Sequence, residues 1–63
     1  MSQEAMILKS LQRGYAITPM DALRDFGTMR LAARVYDLRN KGYDIVSVMV
    51  TKGNAEVAQY TLK

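Results

Sequence analysis

The sequence predicts a small α+β domain in which three helices are followed by a β-hairpin. Two observations carry this. The first 42 residues hold three apolar segments of helical period, each closed by a glycine. After Gly42 the pattern changes to two short β-branched runs separated by a Lys-Gly-Asn-Ala turn. With 63 residues the chain is expected to form one domain over 1–63. A chain of this size buries only about 60% of its unfolded surface, so its core is thin.

The first helix is expected over residues 3 to about 13. Ile7, Leu8 and Leu11 fall on one side, with Lys9, Gln12 and Arg13 outside, and Gly14 stops it. Thr18-Pro19-Met20-Asp21 opens the second helix. The Thr18 hydroxyl can cap, Pro19 suits the first helical position, and Asp21 stands three residues after the cap. Ala22, Leu23 and Phe26 are expected to face inward, and the helix ends at Gly27. Thr28 then offers a new N-cap at once, which is the pattern of a helix-turn-helix corner.

The third helix is expected to run from that cap to about Lys41 and to bury Leu31, Val35 and Leu38, with Ala32 at the border. The opposite side is expected to carry Arg30, Ala33, Arg34, Asp37 and Lys41, while Arg39 lies near the core border and covers apolar surface with its stem. Tyr43 to Thr51 and Val57 to Leu62 are the strands, and Ile17 can add a short third one. The first strand presents a conflict. Val46, Val48 and Val50 share one face, and Tyr43, Ile45 and Met49 share the other. Either a bulge swaps the register midway or an apolar patch stays exposed as a partner surface. A second copy of the chain is the first choice for that partner, and another protein the alternative.

Charge concentrates in one place. Residues 28–42 hold Arg30, Arg34, Arg39 and Lys41 against Asp37 alone, so the segment carries +3. The remaining five basic and five acidic residues cancel. An outer helix face with such charges is ordinarily just solvated, and Asp37 with Lys41 is an ordinary i,i+4 pair. The corner before it and the hairpin after it are what single this helix out. A major groove admits a helix, arginine pairs with guanine, and lysine neutralises phosphate. The candidate contacts are Thr28, Met29, Arg30, Ala33 and Arg34 at the leading end, then Asp37 and Lys41, with Lys52 in the hairpin turn.

Other chemistries find little support. The chain has neither cysteine nor histidine, which excludes disulfides, zinc fingers and histidine-activated nucleophiles at Ser2, Ser10 or Ser47. Asp21 and Asp25 read as surface charges near a helix start rather than a catalytic or metal-binding pair. Tyr43 and Tyr60 are expected in the core, Tyr36 on a flank of the third helix. No enzyme activity and no cofactor are expected. The N-terminus lacks a basic segment followed by an apolar run, and no apolar stretch reaches the roughly 18 residues of a membrane span.

Three stretches carry a family resemblance: ITPMDAL (Ile17 to Leu23), FGTMRLAARVYDLRNKGYDI (Phe26 to Ile45) and AQYTL (Ala58 to Leu62). Together they resemble the small winged helix-turn-helix domain of many phage and prophage proteins. The resemblance implies double-stranded DNA binding in transcription regulation or mobile-element architecture, without catalysis, in the cytoplasm of a bacterial cell or a phage-infected host. It places Arg30 and Arg34 at matching positions. The wing of such domains often holds more basic residues than the lone Lys52 here. A homodimer or higher oligomer is expected as an option. The alternative from another class is a phage-encoded module that uses the same surface to bind or inhibit a host protein.

Overall fold

The computed structural model describes residues 2–63. Its elements follow the order α1 (Gln3–Gln12), α2 (Pro19–Phe26), α3 (Leu31–Asn40), β1 (Ile45–Lys52) and β2 (Ala55–Leu62). In α1 the Ser2 hydroxyl accepts from the Ala5 N–H at 3.1 Å, and Ile7 and Leu11 drive into the core one turn apart. Leu31, Val35 and Leu38 meet them from α3, and Ala22, Ile17 and Ile45 close the cluster. Burial of these side chains is the main favourable term for so short a chain.

Ile17 forms a single bridge to Tyr60 rather than a strand. Its N–H donates to the Tyr60 carbonyl at 2.9 Å, and the Tyr60 N–H returns at 2.8 Å. The next residue opens α2 with a complete capping box: the Asp21 N–H donates to Thr18 Oγ1 at 3.2 Å and the Thr18 N–H to Asp21 Oδ2 at 3.1 Å. One expectation on α2 needs correction. Ala22 is buried and Phe26 half-buried, but Leu23 is 45% exposed, because it stands about 100° around the helix from Ala22. Gly27 does close the helix, in the left-handed region at φ +69°, where any side chain adds strain.

Thr28 does not cap α3, and the helix starts two residues later than the sequence pattern places it. The Thr28 hydroxyl accepts from the Arg30 N–H at 3.1 Å, but Arg30 lies at φ −117°, ψ 46°, outside the helical region. The hydroxyl therefore closes a local side-chain turn, itself 5% exposed. Arg30 becomes the N-cap and supplies no side-chain bond.

The hairpin register runs without interruption from Ile45↔Leu62 to Lys52↔Ala55, which removes the bulge alternative. Ile45, Tyr60 and Leu62 pack on the helices. Val46 and Val48 point to the face of the hairpin opposite Ile45 and are 38% and 50% exposed, whereas Met49 shares the Ile45 face but lies toward the turn, where the hairpin leaves the body, and is 62% exposed. The exposed apolar patch is real.

Candidate nucleic-acid interface

The four basic residues of the central segment do not act as one face. Arg39 sends Nε (3.0 Å) and Nη2 (2.7 Å) to the Ile45 carbonyl, clamping the end of α3 to β1. It does more than cover apolar surface with its stem. Lys41 is the C-cap of α3, and its Nζ donates to Glu4 Oε2 on α1 at 2.5 Å. That hydrogen bond, reinforced by the carboxylate's charge, raises the ammonium pKa above its ordinary value. Lys41 thus pairs with Glu4, not with Asp37. Asp37 faces Arg34 instead, Oδ2 to Nη1, at 4.0 Å. Arg30 is exposed and has no ion-pair partner among the described residues.

Arg34 also sits lower than expected. At about 100° per residue it stands only some 60–70° from the direction of Leu31, Val35 and Leu38. Its Nε is enclosed without a hydrogen-bond partner, and its side chain is 37% exposed. Ala33 and Asp37 are likewise half-buried. The most open line on α3 is Ala32, Tyr36 and Asn40, one turn apart, with Arg39 beside it. Tyr36 is 65% exposed, and Met29 just before the helix is 85% exposed. Ala32 is therefore an open position and not a core border.

Ala32, Tyr36 and Asn40 carry no charge, so the charge pattern of the sequence does not single out this open line. The signal was available: the direction opposite Leu31, Val35 and Leu38 falls among Ala33, Tyr36 and Asn40.

The leading end of α3 gathers the exposed residues Met29, Arg30 and Ala32, with Thr28 buried behind them as a turn lock. No side chain caps this end, so the first-turn amides have no side-chain acceptor among the described residues. Lys52 stands apart on the hairpin, exposed at the last residue of β1. It lines a groove with Thr18, Met20, Asp21, Arg24, Ala55 and Val57. Asp21 and Asp25 are both held by Arg24, each at 3.0 Å, so the two carboxylates serve an ion-pair network on α2. No helix among the described residues is long and apolar enough to cross a membrane.

The model of a family described as a winged helix-turn-helix domain matches residues 2–63. No curated protein and no solved structure matches the chain.

Proposed function

Because this chain belongs to the winged helix-turn-helix domain family, we propose that it binds double-stranded DNA sequence-specifically, with the leading end of α3 in the major groove. The observation that carries the proposal is the exposed and uncapped start of α3, where Arg30 is the one cation of the central segment that neither a carboxylate nor a backbone carbonyl engages among the described residues. Arg30 pairs with a guanine edge or a phosphate, and the free first-turn amides take a phosphate oxygen. Met29 and Ala32 offer apolar contact to thymine methyl groups. Tyr36 and Asn40 reach out along the same line. Thr28 locks the turn, Ala33 permits close approach, and Arg34 with Asp37 tunes the flank. Lys52 meets the backbone from the hairpin. Lys41 contributes least, since Glu4 already neutralises it. Regulation of transcription, or an architectural role in a mobile element, and a phage or prophage setting rest on the resemblance of the three quoted stretches.

A salt titration tests the proposal. Observed affinity for duplex DNA should fall linearly with salt on logarithmic axes. Arg30→Ala should reduce the slope by about 0.9, one phosphate's worth if Arg30 meets the backbone. Lys41→Ala should reduce it by clearly less. Equal slopes for both variants and the parent would refute this docking. The exposed Val46 and Val48, on one face of the hairpin, favour a second reading, a protein-binding module. No binding to any duplex at low salt would select it.

A further inference from the structure

The hydrogen-bond pattern of the hairpin leaves one strand edge open. The Lys63 N–H donates to the Asp44 carbonyl at 2.9 Å, so Asp44 points its backbone groups toward β2. By the antiparallel alternation, Val46, Val48, Val50 and Lys52 do the same, and Ile45, Ser47, Met49 and Thr51 point outward. The Arg39 guanidinium on the Ile45 carbonyl agrees with this assignment. It also occupies one end of the edge. The Ser47, Met49 and Thr51 groups have no strand beside them among the described residues. Between Ile45 and Thr51 the strand holds no charge and no proline, the usual defences of an exposed edge.

We propose that the β1 edge pairs antiparallel with β1 of a second copy of this chain, about a two-fold axis through Val48. The side chains select this register. It sets Val48 against Val48, Val46 against Val50, and Asp44 against Lys52 of the second copy, all on one face of the joined sheet. Asp44 and Lys52 are both exposed, and the symmetry makes their ion pair twice. Sliding the copy by two residues places either Lys52 against Val46 or Asp44 against Val50, each a charge opposite a valine. A one-residue slide aligns outward amides with inward ones and breaks the ladder. Ser47 and Met49 of the two copies exchange the central hydrogen bonds, and the two exposed valine stripes become one cross-strand cluster. The result is a continuous four-stranded sheet with one α3 on each side of the axis. This pairing does not rest on the DNA reading, although it sets Lys52 against Asp44 of the second copy rather than against a phosphate.

Sedimentation equilibrium without DNA, from low to high micromolar protein, tests it. The parent chain should move from the 7.1 kDa monomer toward twice that mass. Ser47→Pro removes an outward N–H that β2 does not use, and should weaken association roughly tenfold to thirtyfold. Lys52→Glu should weaken it severalfold by facing Asp44 with a like charge, and the pair Asp44→Lys with Lys52→Glu should restore it. Circular dichroism checks that each variant keeps the fold, and the charge variants decide if the proline variant does not. A parent that stays monomeric throughout overturns the proposal, as does a dimer indifferent to the charge exchange. Neither result touches the salt titration, and loss of DNA binding in that assay leaves this pairing standing.

Discussion

Replacing Arg39 with alanine is expected to have two effects of opposite sign. The guanidinium makes two hydrogen bonds to one carbonyl, at 3.0 and 2.7 Å, and ties the end of α3 to the start of β1. Bonds to charged groups contribute about 1.5–3 kcal/mol each. Here Arg39 is exposed, ordering its long side chain costs about 2 kcal/mol, and water can solvate the freed carbonyl at the open edge. The net loss should be about 1–2 kcal/mol. Domains this small have only about 3–5 kcal/mol in total, so Tm should fall by roughly 5–15 °C. Arg39→Lys keeps the charge but loses the fork, and should fall between. The second effect concerns the edge. Without Arg39 the Ile45 carbonyl becomes free to accept from Thr51 of a second copy, so self-association should tighten while the monomer loses stability. Thermal unfolding at low concentration and sedimentation at high concentration read the two separately. A Tm within about 2 °C of the parent would show that the clamp contributes nothing.

Thr18→Ala removes half of the α2 capping box and should cost about 1 kcal/mol by chemical denaturation. The other half is pH-dependent: the Thr18 N–H on the Asp21 carboxylate, more than the Thr18 hydroxyl or Arg24, holds its pKa below the ordinary aspartate range against the opposing effect of burial. A depressed folded pKa gives stability that is present above the unfolded value and lost as pH falls through the folded one. Asp21→Asn should therefore flatten the stability curve below about pH 4, and superimposable acid-unfolding curves would contradict this. Gly27→Ala forces a side chain into the left-handed turn at φ +69° and should destabilise by about 1 kcal/mol, although the site has open space around it.

What was legible in the sequence was local. Helix stops at glycines, the Thr18–Asp21 box and the Leu31–Val35–Leu38 stripe follow from residue spacing and stand where spacing puts them. The hairpin is also there, but its first strand starts at Ile45 rather than Tyr43 and its second at Ala55 rather than Val57, because Lys52 and Ala55 pair and leave only Gly53 and Asn54 in the turn. The start of α3 was misplaced because a threonine hydroxyl two residues before an amide serves a cap and a local turn equally well; only the Arg30 backbone angles decide. The pairing of the cations was out of reach for another reason. Lys41 and Glu4 are 37 residues apart, and Arg39 spends its donors on a backbone carbonyl that no residue pattern displays. Counting charge overestimated the free positive surface of α3. On the proposed reading, contact with DNA would depend on the free part, and that is chiefly Arg30.

The bridge at Ile17 has a consequence for motion. Two backbone hydrogen bonds to Tyr60 fasten the hairpin to the preceding chain among the described residues, and they lie near its base. Everything from Met49 to Val57 is held by cross-strand bonds and little burial. Such a segment opens at lower free energy than the helical core. The hairpin tip can thus fray while α1, α2 and α3 stay intact. A duplex or a second strand would order the tip on arrival, and part of the binding energy would go into that ordering.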